Sequence, residues 1–431
     1  MGYYQKDLEC LEKEELYELQ NEKFLKEIKH VFNNVPYYVN KMKENGISLD
    51  DIKSLKDLHK LPFMSKEDLR LSYPDGLLAV DKSACVRIHS TSGTTGKRVI
   101  VFYTKNDIDI WNDCTARALS AAGATSKDVC QIAYGYGLFT GGMGIHGGSE
   151  KLGCLTIPMS SGNTERQLQF MSDLGTTVLC CTPSYAAYLA ENIEERKAFE
   201  NLKLKIGIFG GEAWSKGMKK DIEKALNLEA FDIYGLTEVT GPGVAFDCEK
   251  HDGMHINEDH FYPEIIDPNT LEVLDDGQEG ELVFTSLDKE AFPLIRYRTH
   301  DITSLNRCKC GCGRTLVRMN KITGRSDDML IVKGVNVFPS QIETVILQMG
   351  YKANYQIVVD RIGSTDTLDV LVEMSSDNFS DNLGEINKME KDLTNNIRTM
   401  LGIGAKVRLV APKSIERSEG KAIRVIDKRK I

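Results

Sequence analysis

KIGIFGGEAWSKGMKKDIEKALNLEAFDIYGLTE, residues 205–238, reads as strand, helix, strand: two short apolar, β-rich runs flank the charged amphipathic stretch SKGMKKDIEKAL. A unit of this kind builds a largely parallel sheet, and the chain repeats it. Strand-like runs RVIVFYT, DVCQIAY, GCLTIPM and TVLCCTP alternate with the helical patterns NDIDIWNDCTARALSAAG, TERQLQFMSDLG and SYAAYLAENI. The fold class is therefore α/β. In such sheets ligands sit at the carboxyl ends of the strands, where IFGGE and DIYGLTE break into glycine and acidic residues.

Beyond this core the rhythm changes twice. After Asp247, EIIDPNTLEVLDDGQEGELVFTSL reads as short strands joined by Pro, Asn and Asp-Gly turns, a β section appended to the large domain. Past Gly324, GVNVFPSQIE leads into a helix, followed by the strands QIVVD and DVLVEM, the charged helix EINKMEKDLTNNIRTML, and KVRLVAP as a last strand. That stretch is a small α+β domain, so the division falls at 1–324 and 325–431. A length of 431 residues, beyond what one core usually serves, agrees with two domains. No repeat or low-complexity tract is visible.

The net charge of -9, from 54 Lys plus Arg against 63 Asp plus Glu, disfavours a broad surface for nucleic acid or anionic lipid but leaves room for a local anion pocket. The N-terminus MGYYQKDLECLEKEELYEL has charges where a signal would have an apolar core, and no segment is long enough to span a bilayer. The expectation is a soluble cytoplasmic protein. Eleven cysteines then stand as reduced thiols, most of them small core residues such as Cys180 and Cys181.

Two glycine-rich loops invite a nucleotide reading. TSGTTGKR at 91–98 could cradle phosphate with backbone amides and a lysine, yet Thr91 and Arg98 stand where a P-loop needs Gly and Ser or Thr. Taken alone, the loop could equally be a solvated hairpin turn. GGMGIHGG contains a literal GxGxxG at Gly142, Gly144 and Gly147, but GCLTIPM runs into Ser160, Ser161 and Gly162 without the acidic residue of a dinucleotide site. A flexible loop lining a pocket is the expectation there.

TSGTTGK at 91–97, DIYGLTE at 232–238, RYRTHD at 296–301, GRSDD at 324–328 and SEGK at 418–421 occur in one order. In that order the chain resembles the adenylate-forming enzyme superfamily over nearly its whole length. YGYGLFTGG, PLIRYRTHD and GRSDDMLIVKGVNVFPSQIE are most similar to its phenylacetate-CoA ligase branch. The resemblance implies that ATP activates an aryl acid, phenylacetate-like, as acyl-adenylate, which coenzyme A then opens to a thioester with release of AMP. It makes residues 1–324 the adenylation domain and 325–431 a mobile C-terminal domain.

Roles follow by resemblance. Ser92, Gly93, Thr94, Thr95, Gly96 and Lys97 would hold the β- and γ-phosphates; Tyr234 would stack on adenine beside Gly235, and Asp232 would accept from its amine. Thr237 would donate to the α-phosphate and Glu238 hold magnesium. Asp301 would accept the ribose hydroxyls with Arg325 nearby; His300 stands where the family commonly has glycine. Lys421, delivered by the mobile domain about the hinge Asp327, would bridge carboxylate and phosphate. Tyr136, Phe139 and Pro242 would line the acid pocket, with Gly211, Glu212 and Ala213 as the floor between acid and adenine.

Cys248, His251 and His255 precede Cys308, Cys310 and Cys312, supplying more than four soft ligands. The resemblance favours Cys310 and Cys312, joined to Cys248 and His255 as a structural zinc site; Cys308 and His251 stay open as alternates, and a reduced turn without metal is the bland reading. Partners are then ATP, the acid and coenzyme A, without nucleic acid or membrane; the oligomeric state stays open, a homodimer being one option. Rival readings adenylate another acid and pass it to a carrier-protein thiol or other acceptor, or make the chain a zinc-containing nucleic-acid-binding protein; the acidic balance opposes the second.

Overall fold

The computed structural model describes residues 2–91, 98–196, 202–327, 330–333, 335–362, 365–375, 383–417 and 422–429. A mixed sheet of nine strands forms its spine. In order these are Leu305–Asn306, Arg318–Met319, Met254–Ile256, Gly241–Phe246, Glu229–Leu236, Ile206–Gly210, Val178–Cys181, Val129–Ile132 and Leu155–Ile157. From Leu155–Ile157 to Glu229–Leu236 neighbours pair parallel, as the strand–helix–strand rhythm requires. Val178–Cys181 and Ile206–Gly210 are buried at every position, which is why they read as unbroken apolar runs. The intervening helices include Thr164–Asp173, Pro183–Arg196 and Lys216–Leu226.

On the other side of Glu229–Leu236 the pairing turns antiparallel, so part of the β section extends the same sheet. The remainder folds into a second, antiparallel sheet ordered Phe261–Ile266, Gly280–Ser286, Tyr297–Thr303, Gly324–Arg325. Helix Lys13–Asn34 buries Phe24, Ile28 and Val31 in the core shared by these layers.

Three expectations are corrected. RVIVFYT is not part of the parallel sheet: Ile100–Thr104 pairs antiparallel with Cys85–Ser90 in a two-stranded ribbon. Only residues 91–99 connect Ser90 to its partner Ile100, too few for a parallel crossover. GGMGIHGG is not a loop but part of helix Thr140–Leu152, whose glycines lie against helix Lys105–Ala121. A Cβ at Gly144 would strike the Trp111 ring and one at Gly148 would strike Thr115, so the absent side chains let the two helices pack closely. KVRLVAP is not the last strand, because Val425–Asp427 follows and pairs parallel with Tyr355–Ile362.

The C-terminal part has its own core, formed by Val332, Ile342, Ile357, Val370, Leu393, Ile397 and their neighbours. Its sheet runs Lys406–Val410, Thr365–Glu373, Tyr355–Ile362, Val425–Asp427, with helices Pro339–Gln348 and Leu383–Leu401 packed on it.

Candidate active site

The carboxyl end of Glu229–Leu236 is the centre of the site. A bulge between Tyr234 and Gly235 sets Gly235 opposite Pro242, and a Cβ at Gly235 would collide with the Gly241 carbonyl; glycine is demanded by close backbone approach. The Tyr234 ring is buried near Phe284, and its hydroxyl donates to Asp301 Oδ2 at 2.7 Å. The other oxygen, Asp301 Oδ1, accepts from Arg325 Nη1 at 2.8 Å, and Arg325 donates in turn to both oxygens of Asp327 at 2.8 and 2.9 Å. Asp301 and Arg325 are register partners on adjacent strands. Four of the expected residues thus form one chain of hydrogen bonds from the first sheet to the start of the C-terminal part. Burial pushes the Asp301 carboxyl up, against the pull of Arg325 and Tyr234; burial and Asp301 together push the Tyr234 hydroxyl up.

Asp232 accepts from the indole Nε1 of Trp214, and Lys321 donates to the Trp214 carbonyl. Burial raises the Asp232 carboxyl, opposed by Trp214 and Lys321. Thr237 Oγ1 lies 3.3 Å from Thr140 Oγ1, and the buried Glu238 pairs with Lys66 at 3.0 Å. Lys289 braces the turn that follows, donating to the Val239 carbonyl at 3.0 Å with its ammonium 4.0 Å from the Tyr103 ring centre. Its burial draws the ammonium down to about 8.

Of the residues expected to line an acid pocket, Pro242 stands opposite Gly235 at the same strand end. Tyr136 OH is 3.2 Å from His146 Nδ1, whose Nε2 meets Glu150 at 3.0 Å; Phe139 precedes helix Thr140–Leu152; the Pro242 carbonyl accepts from Trp111 Nε1 at 2.8 Å. Gly211 turns the chain at φ 87°, with Ala213 exposed beyond it. Glu212 accepts from the Ser184 amide at 2.7 Å and, through Oε2, from the Ala422 amide at 3.0 Å. Ser92–Lys97 and Lys421 lie outside the described residues; the ends of the former loop are tied by Thr91 N–H donating to the Val99 carbonyl at 3.1 Å.

Sequence reasoning passed over Lys66, Trp214, Lys289 and Lys321. Each acts on a motif residue far away in the chain or through a contact with no local spacing. The one usable signal was Trp214, one of only two tryptophans, placed directly after the Gly-Glu-Ala turn.

A second centre lies below the antiparallel half of the main sheet. The ligand atoms of Cys248, His255, Cys310 and Cys312 all fall within 4.8 Å of one another, and all four residues are buried. Cys248 and Cys310 sulfurs are 3.8 Å apart, and Cys312 Sγ is 3.4 Å from His255 Nε2, whose Nδ1 faces the Leu316 carbonyl at 3.2 Å. The Cys248 contact and then His255 hold the Cys312 thiol far down against its burial, while the Cys312 contact and burial push Cys248 up. Three sulfurs and one imidazole suit tetrahedral zinc, with the Leu316 carbonyl orienting the ring. Cys308 is exposed, and His251 is engaged by Asp247 and Glu229, so neither belongs to the cluster.

The AMP-binding enzyme family model matches residues 25–287, and the AMP-binding enzyme C-terminal domain model matches 334–429. A phenylacetate-coenzyme A ligase of Pseudomonas putida is 49% identical over 406 residues, covering 93% of this chain and 92% of the relative. Another from Aromatoleum evansii is 48% identical over 431 residues, covering 98% and 97%. Among solved structures, 2-hydroxyisobutyryl-CoA ligase in its postadenylation state with 2-HIB-AMP is 29% identical with a TM-score of 0.91, covering 99% of this chain and 92% of that one. The same ligase in its thioesterification state, at 30% identity and coverages of 98% and 92%, gives 0.73, so the structure as a whole is more similar to the postadenylation form. Two family models in tandem, and relatives almost half identical from end to end, place the motif-bearing strand end in known company: the chain belongs to the phenylacetate-coenzyme A ligase family of adenylate-forming enzymes.

Proposed function

We propose that this chain joins a phenylacetate-like aryl acid to coenzyme A with consumption of ATP. The acid carboxylate attacks the α-phosphorus and pyrophosphate leaves; the coenzyme A sulfur then attacks the acyl carbon and AMP leaves. It is an AMP-forming acid–thiol ligase that uses ATP and coenzyme A. The observation that carries the reading is the hydrogen-bonded chain Tyr234–Asp301–Arg325 beside DIYGLTE, assembled from three separate motifs in a chain of this family.

In this reading the first step gathers polyanions, and the protein's work is positioning and charge stabilisation. Ser92, Gly93, Thr94, Thr95, Gly96 and Lys97 hold the departing pyrophosphate. Tyr234 and Gly235 bound the adenine slot, Asp232 accepts from the base, and Asp301 with Arg325 takes the ribose. Thr237 donates to the α-phosphate, and Lys421 brings its ammonium to the reacting oxygens. Tyr136, Phe139 and Pro242 surround the aryl group over a floor of Gly211, Glu212 and Ala213.

Glu238, a buried carboxylate whose cation partner is Lys66, would hold magnesium, which neutralises phosphate charge when bound. Cys248, His255, Cys310 and Cys312 would hold a structural zinc. The chain divides into 1–324 and a mobile 325–431 that turns about Asp327. No described helix is long and apolar enough to cross a membrane. We place the enzyme in the cytoplasm as a homodimer, without a nucleic-acid or membrane partner.

Acid-dependent exchange of labelled pyrophosphate into ATP tests the reading across a panel of aryl and aliphatic acids, with thioester formation followed on adding coenzyme A. Exchange should be greatest with arylacetic acids. Exchange with no acid in the panel, or an acyl-adenylate that coenzyme A does not consume, would defeat it.

A further inference from the structure

Two described contacts tie the tail of the C-terminal part to the large body. Glu212 accepts from the Ala422 amide at 3.0 Å, and Arg417 reaches Glu191 on helix Pro183–Arg196. In sequence they stand on either side of residues 418–421.

The Arg417 fork is unequal. It meets both oxygens of Glu373, on the C-terminal part's own strand Thr365–Glu373, at 2.8 and 2.7 Å, whereas its contacts to Glu191 are 3.3 and 3.4 Å. The Arg417–Glu373 pair lies within the C-terminal part, and the longer Arg417–Glu191 pair crosses to the large body. Glu373 is nearly buried at 5% side-chain exposure, while Glu191 keeps 27%. A cavity of about 50 Å³ lined by Glu191, Arg417, Tyr188 and Tyr355 lies at this seam, so water and salt reach the weaker half of the fork.

We infer that Glu191 is a positioning residue: its ion pair with Arg417 biases the C-terminal part toward the adenylate-forming arrangement and is released before thioester formation. The inference rests on the ligase reading above. A latch of this kind must be weak, because one too strong would hold the enzyme in its first half-reaction. A partly exposed pair at 3.3–3.4 Å meets that need.

The test is Glu191→Gln in the full-length protein, with the half-reactions measured separately. Acid-dependent pyrophosphate exchange should fall about three- to fivefold, the range an exposed pair supports. Thioester formation from supplied acyl-adenylate should hold or rise. Raising the salt should slow exchange more in the parent than in the variant, and Glu191→Asp should recover part of the loss. Equal loss in both half-reactions, or no change in either, overturns the latch while parent exchange keeps the ligase reading intact. Should the parent show no exchange with any acid, the ligase reading fails, and hydrogen exchange still judges the joint: amides of residues 187–193 and 411–417 lose protection in Glu191→Gln if the pair holds the two parts together, and unchanged protection refutes it.

Discussion

His300 occupies the left-handed region at φ 65°, where a Cβ crowds the backbone and glycine is the easier choice. Its ring is anchored on both sides: Nδ1 lies 2.8 Å from Ser326 Oγ and 3.6 Å from Glu281 Oε2. Glu281, with a fully buried side chain, also accepts from Arg298 Nε and Nη2, both at 2.8 Å. Burial pushes this carboxyl up, but His300 and Arg298 outweigh it and hold it at about 2 against 4.5 unperturbed. A depressed folded value contributes stability above pH 4.5 that is lost as the pH falls toward 2. Glu281→Gln should therefore cost up to about 3 kcal/mol at pH 7, with the difference from the parent shrinking as the pH falls from roughly 5 to 2 in urea titrations. A penalty independent of pH would show that the charge is not the cause. On the catalytic side, Lys421→Ala should cut acyl-adenylate formation by a factor of about a hundred or more while thioester formation from supplied adenylate persists. Rapid-quench assays of the two halves decide it, and matching losses would remove Lys421 from its role.

Secondary structure was legible where burial leaves a pattern. Val178–Cys181 and Ile206–Gly210 are covered on both faces and show it as continuous apolar sequence. Helix Thr140–Leu152 was hidden because its glycines, the residues least suited to a helix interior, serve an interhelical contact. That contact gives a sharp expectation for Gly144→Ala. Alanine would gain about 1 kcal/mol of helix propensity, yet its Cβ would meet the rigid Trp111 ring and Pro242, and overpacking of this sort costs about 1–3 kcal/mol or more. Net destabilisation of up to about 2 kcal/mol in urea unfolding is the expected result; a stabilised variant would mean that the helices part without cost. The ribbon Cys85–Ser90 with Ile100–Thr104 was misread for a different reason: a β-rich run shows that a strand exists but not which neighbour it takes.

Across the full chain, the Cys₃His cluster joins strand Met254–Ile256 to the turn before Arg318–Met319 and closes the antiparallel half of the main sheet. Protein purified without chelator should carry close to one zinc per chain, and Cys312→Ser should lose it together with several kcal/mol of stability, roughly 3 or more. Elemental analysis and unfolding in parallel test this. A metal-free parent as stable as expected would leave the cluster a packed set of thiols. Among the described residues, the C-terminal part, with a core of its own, meets the large body through the Ala422 amide on Glu212 and Arg417 on Glu191.

The order of motifs, the parallel core and the cysteine spacing could be read from the chain itself, because buried strands, glycine at close approaches and soft metal ligands each demand particular residue types locally. DIYGLTE carried its family and its place at a strand end in this way. Lys66 against Glu238, Trp214 over Asp232 and Arg417 reaching Glu191 were settled only by folding. Such pairs join segments whose separation has no period, and the energy that selects one lysine or arginine among many comes from burial and geometry that exist only once the sheets have closed.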